Sequence, residues 1–254
     1  MQKKGKVIIV GAGPGDPDLI SIKGIKALQK ADVILYDALV SPELLTYCSS
    51  HCRHVYVGKR RSKKEFSQEE INRLLLFYAE RNETVVRLKG GDPYVFGRGH
   101  EEVSFLAQHG VESETIPGIS SAIAAPSSAG IPLTKRGINE SFWVITGTLS
   151  SGELSNDLAY AAKSSATVII LMGLSHLEKI VRVFASARSI NEPVAVIASA
   201  TLPEQKICVG TLKDIEYQTK DSAIQSPAVI VIGKVVEERK KLAHLIEQTE
   251  IVTL

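Results

Sequence analysis

Two short stretches of the chain join glycine to an acid and a proline. The first, Gly11-Ala12-Gly13-Pro14-Gly15-Asp16-Pro17, follows the apolar run 7–10; the second, Gly90-Gly91-Asp92-Pro93, follows Val85-Val86-Arg87-Leu88-Lys89. A glycine-rich turn at a strand end brings backbone N–H groups close to a ligand, and phosphate cradles exploit this. A dinucleotide fingerprint would need a third glycine at position 16 and a helix beginning inside the motif. Here Asp16 would set a carboxylate against phosphates, Pro14 and Pro17 remove two donors, and the best helix start is near Ser21. Asp37, after Val33-Ile34-Leu35-Tyr36, stands where a ribose-binding acid would, which keeps an NAD-linked oxidoreductase as a rival. An acid after a strand also suits a turn cap. The loops read as paired walls of a ligand site, and a dinucleotide is the less favoured occupant.

Other reactive residue types are sparse. Cys48 and Cys52 lie in Tyr47-Cys48-Ser49-Ser50-His51-Cys52-Arg53-His54, with no second pair at matching spacing, and Cys208 stands alone. Four residues apart, the two cysteines read as small apolar side chains sharing one face, and no metal is expected. His100 and His109 fall on an expected helix without a partner at ligand spacing. The run Gly58-Lys59-Arg60-Arg61-Ser62-Lys63-Lys64 is strongly basic, as a solvated face or a nucleic-acid patch would be. A net charge of +2 is too small to imply nucleic acid.

The elements that must position these loops alternate between strand and helix. Strands are predicted at 6–10, 33–36, 54–57, 84–89 and 112–116, then 142–146, 167–172, 194–199, 206–209 and 228–232. Ser67 and Glu70 form a capping box that starts a helix near residue 68. Pro126 is expected to interrupt the small-residue helix around 119–130 or to begin a new turn there. No helix fits between 194–199 and 206–209, so part of the second sheet is predicted to be antiparallel. The pattern gives two α/β domains, 1–136 and 137–254. At 254 residues and 44% hydrophobic composition both can bury a core. No apolar run approaches the roughly 20 residues of a membrane span, and the short apolar start reads as a strand, not a signal peptide. A cytoplasmic protein is expected.

In order along the chain, "VGAGPGDPDLISIKG", "ADVILYDALVSPELL", "VGKR", "QEEINRLL", "RLKGGDPYVFGRG", "PGISSA", "MGLSHLEKI" and "PAVIVIGKVV" resemble the tetrapyrrole methylases, and among them the uroporphyrinogen-III C-methyltransferases. The resemblance implies two α/β domains with the active-site cleft between them, usually in a homodimer. It implies transfer of methyl groups from S-adenosylmethionine to C2 and C7 of uroporphyrinogen III, giving precorrin-2 by way of precorrin-1 for sirohaem, cobalamin or haem d1. Carried over by position, the S-adenosylmethionine contacts would be Pro14, Gly90, Gly91, Asp92, Val95, Ser120, Ser121, Met172 and Ala200, with Asp37 and Lys59 as proton acceptor and donor. Asp92 would also suit a turn cap, and Met172 core filler. For a polycarboxylate substrate, Arg98 and Arg136 are the expected grips. Another precorrin methyltransferase and a non-catalytic tetrapyrrole-binding protein are further alternatives. Lys135 and Thr148 stand where the family usually has histidines, and Ala200 where it has glycine; the last matters if that glycine needs positive φ.

Overall fold

In the computed structural model, which describes residues 4–58 and 66–241, the opening apolar run becomes an inner strand. β1 (Lys6–Gly11) lies between β4 (Thr84–Lys89) and β5 (Ser113–Ile116), and β2 (Val33–Tyr36) and β3 (Arg53–Tyr56) complete the order β3-β2-β4-β1-β5. Every pairing is parallel; Val7 sits opposite both Val85 and Ser113. Strands buried on both faces need continuous apolar runs, which is why β1, β2 and β4 read as strands without clean alternation. Val7, Ile9, Val33, Leu35 and Val85 turn to one face, under α2 (Gln68–Ala79) and α3 (Gly99–Gln108). Val10, Ile34, Val86 and Leu88 turn to the other, under α1 (Ile22–Gln29) and a 3-10 segment, Pro42–Tyr47. The capping box forms as expected, Glu70 N donating to Ser67 Oγ and Ser67 N to the Glu70 carboxylate. Ser21 caps α1 through Gly24 N at 3.1 Å.

α4 (Ser121–Ser128) opens a second compact unit. Its sheet runs β6 (Phe142–Thr146), β7 (Thr167–Leu171), β10 (Ala228–Ile232), β8 (Pro193–Ala198), β9 (Lys206–Thr211). Only β6 and β7 pair in parallel; β10 is antiparallel to both neighbours, and β9 to β8. The helix-free link before β9 predicts the last pairing, whereas the insertion of β10 has no such sign in the sequence. α5 (Asp157–Lys163), α6 (Leu177–Ala185) and α7 (Ile215–Asp221) cover one face.

Two expectations change. The units divide between Ser120 and Ser121, not near residue 137. Ala122 and Ala125 of α4 pack with Ile169, Ile197 and Val231, so the helix belongs to the sheet whose face it covers. Pro126 does not break α4, which continues for two residues beyond it.

The turn between α5 and β7 depends on one side chain. Arg188 donates to the carbonyls of Ala161, Ala162, Ser164 and Ala166 at 2.8–3.1 Å, and to Glu192 at 3.2 Å. Burial lowers its pKa, and Glu192 opposes that. Arg188→Met keeps length but strips these carbonyls of their donor. Urea unfolding of the full chain is expected to register a loss of about 2–4 kcal/mol; an unchanged midpoint would mean that water replaces the guanidinium.

Candidate active site

β1 and β4 are neighbours, yet the chain leaves β1 toward α1 on one face and β4 toward α3 on the other. Such divergence opens a crevice at the carboxyl edge of a parallel sheet, where ligands bind. Both glycine loops lie there. Gly91 N donates to Gly13 O at 2.7 Å, and Gly13 N donates back to Gly91 O at 3.3 Å. The loop after β5 closes on them. A Cβ on Gly118 would come within 2.3 Å of Gly91 O, and one on Gly11 within 2.5 Å of Gly118 N. Glycine is required here because three strand ends pack backbone against backbone.

The acids of the loops are structural in this arrangement. Asp92 accepts from Tyr94 N at 2.8 Å and from Gly118 N at 3.1 Å, tying the β4 and β5 loops together. Asp16 accepts from Asp18 N at 2.9 Å and caps the 3-10 turn Pro17–Leu19. Pro14, Gly90 and Gly91 are half-buried along the same edge. Around them Leu39, Tyr94, Val95, Phe96 and Ile119 expose between 38% and 61% of their surface, an apolar rim beside the glycine loops. Phe96 and Arg98 hold left-handed φ values of 54° and 60°, a strain that accumulates in binding loops.

Asp37 leaves β2 at this edge with 28% of its side chain exposed, and accepts from Arg87 Nη2 at 2.6 Å. Arg87, in the middle of β4, is buried; its Nε donates to Glu102 Oε1 at 3.1 Å. Lys89 Nζ reaches the same oxygen at 2.8 Å, and Gln68 Nε2 at 3.1 Å. Burial opposes the Arg87 charge, but Glu102 and Asp37 outweigh it and leave its pKa above the usual value. For Lys89, burial and then Arg87 win, and its pKa falls. Sequence reasoning missed this network. Its signal was visible: two cations inside an apolar strand, which burial permits only with acids to match.

The remaining predicted residues divide between the units. Ser120 is buried at the end of the first unit, and Ser121 is the first residue of α4. Lys59 lies outside the described residues. Arg98 is exposed, but its fork is taken by Glu101, Nε and Nη2 donating at 2.9 and 2.8 Å, so it braces the start of α3. Arg136 is exposed on a turn held by Asn139, which accepts from Lys135 N at 2.9 Å and donates to Leu133 O at 2.8 Å. Met172 follows β7, is 53% exposed and has φ 54°, so it is not core filler. Ala200 follows β8, is buried, and is not among the left-handed residues, although Ser199 and Thr201 on either side are. β7 and β8 both oppose β10, so Met172 and Ala200 leave at one edge of the second sheet. The altered positions are integrated: Thr148 Oγ1 donates to Met172 O at 2.7 Å, and Lys135 pairs with Glu238. Among the described residues one cluster of metal-ligand type occurs, Cys48, Cys52 and His54, separated from the β1/β4 crevice by β2. Burial pushes the Cys52 thiol up to about 12 and raises that of Cys48, so neither is a reactive thiolate.

The profile of the Tetrapyrrole (Corrin/Porphyrin) Methylases matches residues 6–216. The chain belongs to this family. It is 48% identical over 234 residues to a uroporphyrinogen-III C-methyltransferase of Methanocaldococcus jannaschii, covering 91% of this chain and 97% of that one. It is 42% identical over 240 residues to a sirohaem synthase of a Psychrobacter species, covering 94% of this chain and 49% of that protein. The chain thus spans about half the length of that relative. Among solved structures, a uroporphyrin-III C-methyltransferase from Thermus thermophilus complexed with S-adenosylhomocysteine aligns with TM-score 0.78 and 38% identity, over 92% of this chain and 99% of that one. A cobalt precorrin-4 methyltransferase aligns with TM-score 0.82 and 31% identity, over 91% and 95%.

In this tetrapyrrole methylase, Glu102 is the carboxylate that Arg87 and Lys89 share. Glu102→Ala leaves two buried cations with Asp37 as the remaining acid of the network. A loss of about 3–5 kcal/mol is expected in guanidinium unfolding, with a smaller loss for Glu102→Gln, which keeps an acceptor oxygen. Equal stability of all three proteins would show that water already solvates the network.

Proposed function

We propose that this chain transfers methyl groups from S-adenosylmethionine to C2 and C7 of uroporphyrinogen III, giving precorrin-2 by way of precorrin-1 for sirohaem, cobalamin or haem d1. One observation carries the reading: the glycine wall of Gly11, Gly91 and Gly118, at the β1/β4 crevice, in a chain 38% identical to the Thermus enzyme solved with S-adenosylhomocysteine. The wall fits such a ligand, because its glycines let three strand ends meet without side chains between them and an apolar rim adjoins it. On the family resemblance, Pro14, Gly90, Gly91, Val95, Ser120, Ser121, Met172 and Ala200 are assigned as the ligand's contacts. Asp92 acts beneath them by keeping the β4 and β5 loops in register. S-adenosylmethionine supplies an electrophilic methyl group on a sulfonium centre. The protein's share is alignment and the exclusion of water.

Asp37 fits a role in charge and proton handling. Methylation at a pyrrole carbon leaves a cationic macrocycle that must lose a proton from an adjacent bridge carbon. The Arg87 ion pair fixes the Asp37 carboxylate in place while leaving part of it open, ready to stabilise that cation or accept the proton. Lys59 is assigned the donor role on the family resemblance. Arg136 is the better grip for a substrate carboxylate, since Arg98 would first have to leave Glu101. The reading includes a homodimer working in the cytoplasm; no helix among the described residues is long and apolar enough to cross a membrane. A second reading, methylation of a later precorrin, draws on the TM-score of 0.82 to the cobalt precorrin-4 enzyme, but identity falls there to 31%.

S-adenosylhomocysteine is expected to raise the melting temperature by mass action on the native state, whereas NAD and NADP leave it unchanged. Anaerobic incubation with uroporphyrinogen III and S-adenosylmethionine should yield the dimethylated product. Stabilisation by NAD but not by S-adenosylhomocysteine would overturn the reading.

Asp37→Asn keeps an acceptor for Arg87 and removes the charge. Turnover is expected to fall by about a hundredfold or more, with S-adenosylhomocysteine affinity nearly unchanged in calorimetry. Full activity in this variant would reduce Asp37 to a structural acceptor.

A further inference from the structure

Cys48, Cys52 and His54 belong to one short segment, but spacing alone leaves the histidine unplaced. Strand pairing places it. His54 lies opposite Ile34 in the β2–β3 register, and residues opposite one another share a sheet face. Ile34 belongs to the cluster under α1 and the Pro42–Tyr47 segment, and Cys48 and Cys52 pack against that same cluster. Cys48 terminates the 3-10 segment, and Cys52 ends the turn that leads into β3. All three side chains therefore meet on one side of the edge strand. Their ligand atoms lie within 4.8 Å of one another, and both cysteines are free thiols.

We propose that Cys48 Sγ, Cys52 Sγ and a ring nitrogen of His54 bind one zinc-class divalent cation. Two sulfurs and an imidazole suit a borderline-soft metal, and the absence of a carboxylate from the trio disfavours magnesium and calcium. Tetrahedral zinc requires ligand separations of about 3.6–3.8 Å, given the usual metal–sulfur and metal–nitrogen lengths. Small side-chain rotations reach that from the present spacing. Binding forms two metal–sulfur bonds and one metal–nitrogen bond, and each thiol releases its proton to solvent. The dication and two thiolates then sum to zero charge, which a half-buried site tolerates. His54 is exposed, so the fourth position faces solvent and takes water or an external thiol. The ion would clip the 48–52 turn onto β3. The site is independent of the β1/β4 crevice and of the function proposed for it.

The test uses the full chain, reduced and freed of metal, titrated anaerobically with Co²⁺. One equivalent per chain is expected, with the near-ultraviolet thiolate charge-transfer absorption and visible ligand-field bands of tetrahedral cobalt; Zn²⁺ then bleaches both. Cys52→Ser should abolish the charge-transfer band, His54→Gln should weaken binding at least tenfold, and Cys208→Ser should change nothing. Should a site variant fail to fold, alkylation of the wild-type protein decides: stoichiometric Zn²⁺ should protect Cys48 and Cys52 from iodoacetamide. Absence of a thiolate band with full alkylation in the presence of Zn²⁺ would overturn the proposal. So would a band that survives Cys48→Ser/Cys52→Ser, or a Cys48–Cys52 disulfide formed in air by a protein that takes up no metal when reduced.

Discussion

The ends of β1, β4 and β5 meet with no space for a side chain between them, and the first unit is organised around that approach. Gly118 faces Gly91 O at a distance no Cβ would permit, and Gly91 and Gly13 exchange hydrogen bonds across two strand ends. Side chains are excluded from the wall, so backbone groups become its surface. The Asp92 carboxylate then locks the β4 and β5 loops by accepting from both. The prolines that spoil a phosphate cradle suit this purpose, because they stiffen the loops without needing donors.

Beneath the wall, one sheet face gives up apolar packing for charge. Arg87 and Lys89 occupy inward positions of β4, and Glu102 meets them from α3. Removing two cations and two acids from water is costly, and the contacts converging on Glu102 Oε1 offset that cost, although the buried Oε2 has no hydrogen-bond partner among the described residues. That set of contacts also orients Asp37, whose side chain is partly open to solvent. A carboxylate held by a buried guanidinium keeps its position through a reaction better than one on a free loop.

The second unit accommodates its unusual residues locally. Thr148 uses its hydroxyl to hold the carbonyl of Met172, whose left-handed backbone turns it away from β7. Lys135 finds Glu238. Ala200 replaces glycine without strain because the left-handed residues are its neighbours, Ser199 and Thr201.

Strand positions, the Ser67 capping box and the late start of α1 were all determined by the sequence alone. Each rests on local physics: apolar runs, or a cap three residues from its partner. The ordered motifs also determined the family. Tertiary structure decided what depends on distant segments meeting. It assigned α4 to the second unit, because Ala122 and Ala125 fit that sheet's face, and it inserted β10 antiparallel between β7 and β8. It turned Arg98 from a free grip into the partner of Glu101, joined Arg87 to Asp37 across fifty residues, and carried His54 to Cys48 and Cys52 through the β2–β3 register. A side chain's type is written in the chain, but its partner is set by strand order and register, which no local pattern contains.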